Sequence, residues 1–330
     1  MSSEGSNPPE RAGGTSVRRV VVDTDTGIDD AHTLLYLAAR ADAEIVAITS
    51  VFGNCAVDDS VRNIGYVTRL LDLEVPIALG AAGPLEGSPH IASYVHGKDG
   101  LGDRGYLRPT PELAAESSAE LLVRLADEAP GELDLLALGP LTNLGLALRI
   151  DPNLLLKYRS VVLMGGSGPY AEPGVLRMID ANINNDPAAA RLVFAAPRNL
   201  LVSVGVNVTA STILDEQAIG ALRAVKTPVA RFAVEILDSY LDFYQNEWGR
   251  RIIPLHDPLA AGVLLDPGFA TGWIDGPVNV VGDGFLSRAR LMRTSDGLPP
   301  AFRYEKTPDT RVLTSVDAAR FVQDFVGALS

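Results

Sequence analysis

The chain holds a single cysteine, Cys55, which leaves no partner for an internal disulfide. With one thiol and four histidines it also lacks the cysteine sets or histidine pairs of a zinc site. Basic residues are scarce: 28 Lys and Arg stand against 41 Asp and Glu, for a formal net charge of −13 and a pI near 4.8. Nucleic acid is thereby excluded as a partner, because phosphates need clustered cations. No apolar run approaches the length of a bilayer span, so a membrane is not expected either. What remains is a cytoplasmic enzyme acting on a neutral or cationic small molecule.

At 330 residues the chain can bury a large core. Residues 1–16, rich in Ser, Gly, Pro and Glu and without an apolar stretch, are expected to form a disordered tail and not a signal peptide. Residues 17–330 show no linker and are expected to be one domain. Apolar, β-branched runs recur at Val20 to Val22, Ile45 to Val51, Val75 to Leu79, Leu133 to Leu138, Val161 to Met164 and Leu200 to Val206. Amphipathic stretches such as Val61 to Leu71, Ala115 to Ala129 and Pro187 to Phe194 separate them. That alternation predicts an α/β fold with a mostly parallel central sheet flanked by helices, a Rossmann-like core. Right-handed crossovers then gather every strand's carboxyl end on one edge, where such sheets bind ligands.

Against this background the dense acid run Asp23-Thr24-Asp25-Thr26-Gly27-Ile28-Asp29-Asp30 stands out. It follows the first apolar strand, with Gly27 expected to supply the turn and Asp29 and Asp30 to open a helix. Helix capping and a turn account for one or two of these acids. Four together repel one another unless a cation or strong donors hold them, so the run reads as a metal site. An all-oxygen set suits calcium, with magnesium the lesser alternative. Glycine-bearing loops after the other strands, at Gly53-Asn54, Gly139-Pro140-Leu141-Thr142-Asn143 and Gly165-Gly166, fit the same cleft. His90 to Pro109 reads as a polar loop over it, too polar to be core, and Tyr240 to Leu255 as a second loop ending in His256-Asp257-Pro258.

These blocks, in this order and together with Asn182-Ile183-Asn184-Asn185-Asp186-Pro187, resemble the inosine-uridine-preferring nucleoside hydrolases. The resemblance is carried by the DxDxGxDD signature and covers Val17 to Asp266, with a looser match from Pro267 onward. It implies hydrolysis of the N-glycosidic bond of ribonucleosides to free ribose and base. By the same resemblance Asp25, Asp30, Asp257 and the backbone carbonyl of Leu138 hold a calcium ion. Asp25 takes a proton from a water shared with that ion. Asp29, Asn54 and Asn182 grip the ribose 2′ and 3′ hydroxyls, and Asp180 and Met164 lie nearer the 5′ end. His256 assists the departing base, His96 touches it, and relatives assemble as homodimers or homotetramers.

The chemistry agrees with that division. Glycosidic cleavage passes through an oxocarbenium-like state that carboxylates stabilise, and the leaving base needs a proton from the other side. Tyr240, Tyr244 and Trp248 precede His256, where they can stack on the base or relay a proton; packing of an amphipathic helix explains the same spacing. The chain departs from the family pattern at Thr26, often proline, and at Asp180-Ala181-Asn182, usually Glu-Phe-Asn. An upstream asparagine of the family also has no counterpart near Gly174. Two other readings compete. Asp23-Thr24-Asp25-Thr26 at a strand end also resembles a phosphatase of the haloacid dehalogenase type, with Asp23 as nucleophile and Asp25 as acid or base. A nucleoside or ribose sensor that binds without turnover is the third.

Overall fold

Strands β1 (Arg18–Thr24), β2 (Ala43–Ser50), β4 (Leu133–Ala137) and β5 (Ser160–Met164) flank the short β3 (Ile77–Ala78) in the sequence, and β6 (Leu200–Val204) follows them. Near-continuous runs of Val, Leu and Ile make these strands because both of their faces are covered, as parallel sheets require. A computed structural model describes residues 17–168, 180–281, 285–288 and 308–330. The tail expected at 1–16 and the region of Gly174 lie outside them.

Along β1, Val20 and Val22 enter one apolar cluster with Leu34, Tyr36, Leu259 and Phe321. Val21 enters the other, with Leu121, Leu135, Leu144 and Val193. The period of two therefore feeds two helical layers, one on each face of the sheet.

Two-residue strands β7 (Ile213–Leu214) and β8 (Ile253–Pro254) pair antiparallel, and β9 (Ala270–Gly276), β10 (Val278–Val281), β11 (Phe285–Arg288) and β12 (Thr310–Val316) complete the set. The central eight-stranded sheet runs β3-β2-β1-β4-β5-β6-β12-β9, parallel except where β9 meets β12, and β10 and β11 form a separate hairpin. The expected single α/β domain with a mostly parallel sheet is what forms. The chain goes outward from β1 to β3 and returns to the far side of β1 as β4. Between the carboxyl ends of β1 and β4 lies the crevice that such a reversal opens.

Two expectations need correction. Residues Asp238–Trp248 form a helix, so the second loop does not start at Tyr240, and His256 begins the next helix, His256–Leu265. The stretch from His90 to Pro109 is not all solvent-facing: Val95, His96 and Leu101 are buried. Its glycines and aspartates mark turns around those three apolar or aromatic anchors.

Arg198 ties the late strand β12 to the rest. Its guanidinium donates to the carbonyls of Phe194 (2.8 Å), Ala196 (3.1 Å) and Pro308 (2.8 Å) and to Thr310 Oγ1 (2.7 Å). Replacing Arg198 with alanine strands several of these buried acceptors together. Urea unfolding is expected to show a loss of about 2–4 kcal/mol; a change below about 0.5 kcal/mol would remove this role from Arg198.

Candidate active site

The acid run leaves β1 at Thr24 and turns into the helix Ile28–Ala38. The sharp backbone step falls on Thr26, at φ +21°, and not on Gly27, whose φ of −87° is ordinary. Thr26 is held there by its own N–H to Thr24 Oγ1 (3.1 Å) and by Asn63 Nδ2 donating to its carbonyl (2.9 Å). Glycine is needed at 27 for space: a Cβ would stand 2.7 Å from both Asn54 Nδ2 and His96 Nδ1. At Gly53, with φ +152°, a Cβ would lie 2.0 Å from Asp25 Oδ2.

The four acids have different partners. Asp23, fully buried, accepts from Thr49 Oγ1 (2.5 Å) and Asn143 Nδ2 (2.7 Å). It is a brace between β1 and its neighbours, closed to the in-line attack that a phosphatase nucleophile requires. Asp25 accepts the Asn54 backbone N–H at Oδ2 (2.8 Å) and the Asn54 amide at Oδ1 (3.2 Å). Asp30 accepts from Thr24 Oγ1 (2.5 Å), from the Gly27 N–H (2.9 Å) and from the same Asn54 amide (2.8 Å). Asp29 accepts from the Tyr240 hydroxyl at Oδ2 (3.2 Å), and its buried Oδ1 has no partner among the described residues.

Asp257, in the first turn of His256–Leu265, meets this group from the other side. Carboxylate oxygens of Asp29, Asp30 and Asp257 lie within 4.8 Å of one another. Of the expected metal ligands, Asp30 and Asp257 are thus together with Asp29. Asp25 lies against Asn54, and the Leu138 carbonyl accepts the Asn182 amide at 2.6 Å. Burial first, then mutual repulsion, pushes Asp29 up to about 8 and raises Asp25 and Asp257 well above the carboxylate range. Asp30 is raised too, mainly by burial. No Lys or Arg among the described residues is paired with any of the four. A buried, all-oxygen cluster with an orphaned oxygen and no protein cation fits a hard metal ion.

Beside the acids, and joined to them by the Tyr240–Asp29 bond, stands an aromatic wall. Tyr240, Tyr244 and Trp248 recur at helical spacing on Asp238–Trp248, with ring centroids 5.1 Å and 4.7 Å apart. The wall continues through His96, 5.1 Å from Tyr240. The Ile28 N–H donates to His96 Nδ1 (3.2 Å), which fixes the tautomer with the proton on Nε2. Burial holds His96 down to about 3, so its approach to Asp29 at 3.9 Å is no ion pair. His256 Nε2 meets the Tyr244 hydroxyl at 2.8 Å and Nδ1 meets Thr209 Oγ1 at 2.6 Å. Burial keeps this imidazole neutral too, at about 4. The β7–β8 pair and the Leu255 N–H to the Thr212 carbonyl (2.8 Å) hold Thr209 and His256 together.

A cavity of about 420 Å³ lies among these acids and aromatics, lined by Asp29, Asn54, His96, Leu138, Met164, Asp180, Asn182, Tyr240, Tyr244, His256 and Asp257. Eleven of the thirteen site residues expected from the sequence therefore share one cavity, and Asp25 and Asp30 sit beside it. Asp180 caps the helix Ala181–Asn185 through Oδ2 to the Ile183 N–H (2.6 Å), and burial lifts it to about 6. Thr209, Phe243 and Glu247 also belong here, on His256 or on the cavity wall, and the sequence reading missed them. Thr209 lies 47 residues from its partner in a short helix with no motif. A second cavity of about 500 Å³ adjoins the first and shares Asn54, Ala92, Tyr94, Ala181 and Asn182 with it.

The family model described as inosine-uridine preferring nucleoside hydrolase matches residues 20–323, beyond the stretch ending at Asp266 that the motifs cover. A probable uridine nucleosidase 2 of Oryza sativa subsp. japonica is 37% identical over 256 residues, 77% of this chain and 75% of the relative. A pyrimidine-specific ribonucleoside hydrolase RihA of Enterobacter sp. (strain 638) is 32% identical over 314 residues, 92% of this chain and 95% of that protein. The solved plant nucleoside hydrolase PpNRh1 superposes with a TM-score of 0.86 at 25% identity, covering 94% of this chain and 98% of its own.

Proposed function

The chain belongs to the inosine-uridine preferring nucleoside hydrolase family and is an N-glycosidase, and we propose that it hydrolyses pyrimidine ribonucleosides, uridine foremost, to free ribose and base. The observation that carries the reading is one cavity lined both by buried carboxylates and by a neutral histidine–tyrosine pair. That is the polarity N-glycosidic cleavage requires: negative charge toward the sugar and a proton donor toward the base.

In this proposal Asp30 and Asp257, with Asp25 and the Leu138 carbonyl, would hold a calcium ion, with magnesium the lesser alternative, since the donors are all oxygen. Such an ion neutralises the acids and supplies Lewis acidity that makes water a nucleophile at neutral pH. Asp25 accepts the proton of the attacking water, its carboxylate aimed by the two bonds from Asn54. Asp29, with one free oxygen, takes a sugar hydroxyl while Tyr240 steadies the other. Asn54 and Asn182 turn their amides to the remaining hydroxyls, and Asp180 and Met164 bound the sugar's 5′ end. His96 presents its Nε2 proton to the base, and the Tyr244–His256–Thr209 line delivers one to it. No described helix is long and apolar enough to cross a membrane. The proposal places the enzyme in the cytoplasm as a homodimer or homotetramer.

Incubation of the purified protein with uridine, cytidine, inosine, adenosine and guanosine in phosphate-free buffer tests it. Equal amounts of free ribose and free base are expected, with uridine ahead of the purines by about tenfold or more in kcat/KM, a difference of about 1.4 kcal/mol. Purines ahead of uridine would overturn the pyrimidine assignment. Binding without products would leave a nucleoside sensor.

A further inference from the structure

The second cavity differs from the first in one respect that bears on the nucleophile: Asp25 lines it and does not line the cavity holding the aromatic wall, whose acids are Asp29, Asp180, Glu247 and Asp257. The proposed base therefore borders this second space. At about 500 Å³ it is far larger than the roughly 30 Å³ that one water occupies in the liquid. Asn54, Asn182, Asn184 and Asn185 are among its lining residues, with Pro89 and Ile91 offering apolar surface. Among the described residues no Lys or Arg lines it, which disfavours phosphate and other anions beside Asp25. The small Ala181 lines both spaces. The far wall is fixed, because the Asn185 side chain accepts from the His90 N–H (2.9 Å) and donates to the His90 carbonyl (3.0 Å).

We propose that this second cavity is an acceptor subsite for a small neutral alcohol or polyol, so that the enzyme passes the ribosyl group to a hydroxyl as well as to water. The assignment rests on the hydrolase reading above and on Asp25 as its base. The acceptor oxygen forms a bond to the anomeric carbon as the bond from that carbon to the base nitrogen breaks. The acceptor's hydroxyl proton goes to Asp25, and the bonding pair leaves with the base, which is protonated from the Tyr244–His256 side. Nucleoside and alcohol give an alkyl riboside and free base, with no further reactant. An acceptor held against the sugar competes with water beyond its bulk share, because its positioning is already done.

The test uses the full chain with uridine, or the best nucleoside of the panel, and rising glycerol or methanol. Ribose, riboside and base are quantified by chromatography and proton NMR. The riboside-to-ribose ratio is expected to exceed the acceptor-to-water mole ratio by about tenfold. Ile91→Trp and Asn184→Trp, which fill the cavity without touching the acids, are expected to bring the ratio down to the mole ratio while base release continues. Base release with ribose alone, or a ratio equal to the mole ratio and unchanged in both variants, overturns the acceptor subsite and leaves the hydrolase standing. No base release from wild type at any acceptor concentration overturns both.

Discussion

Asp25→Asn is expected to lower kcat on uridine by about 10³-fold or more, while the unfolding midpoint in urea holds or rises. Both Asp25 oxygens accept hydrogen bonds from Asn54, at 2.8 Å from its backbone and 3.2 Å from its amide. Asparagine retains the shape and one acceptor, but its amide cannot take a proton from an attacking nucleophile. Its other end brings donor hydrogens toward Asn54, which costs one of those bonds. Against that loss, removing an acid from a buried cluster whose members already repel one another relieves strain, since Asp30 and Asp29 both raise the Asp25 carboxyl on top of its burial. Activity and stability are therefore expected to separate. A variant that keeps more than about a tenth of wild-type turnover would remove Asp25 from the role of base.

The second large effect concerns the leaving group. His256→Ala is expected to cost about 10²–10³ in kcat/KM on uridine and less than about fivefold on p-nitrophenyl riboside, whose leaving group departs without a proton. The reason lies in the geometry of the histidine. It is buried, held neutral, and clamped at both ring nitrogens, by Tyr244 at 2.8 Å and Thr209 at 2.6 Å. A neutral ring with a partner on each side passes protons along a line and does not store one. Its removal breaks that line yet leaves the acids around the sugar in place. Equal losses on both substrates would show that His256 shapes the cavity and does not serve the base.

Much of this site was legible in the sequence because its chemistry sits where strands end. The acid run after β1 and the blocks after β2, β4 and β5 are contiguous, and their order in the chain maps onto one edge of a parallel sheet. What stayed hidden was pairing at long range. Asp23 carries the same side chain as Asp25, yet it turns to Asn143, 120 residues away, and braces the sheet. Asp23 lies inside β1 and Asp25 just past its end, and the two meet different surroundings only once β2 and β4 have packed beside the strand. Thr209 joined His256 through the two-residue β7–β8 ladder, too short to leave a pattern. The helix Asp238–Trp248 read as a loop because Asp, Gln, Asn and Glu interrupt its apolar residues, while its tyrosines face inward on the cavity. Strands β9 and β12 escaped notice for a related reason: the outer strand β9 alternates half-buried and exposed residues and lacks the apolar run of its parallel neighbours.

The place of β12 between β6 and β9 also sets when the molecule can finish assembling. Strands β1 to β6 and the crevice between β1 and β4 are encoded before residue 205, but the open flank of β6 finds its neighbour only when 310–316 have left the ribosome. During that interval Leu201 and Val202 on β6 present an unpaired, apolar edge, the kind that joins other chains. Arg198, waiting two residues ahead of β6, holds the catch for the late arrival: its bonds to 308–310 form only as the last strand docks. Synthesis of this enzyme is therefore exposed to aggregation over roughly its final third, and slow translation there lengthens the hazard.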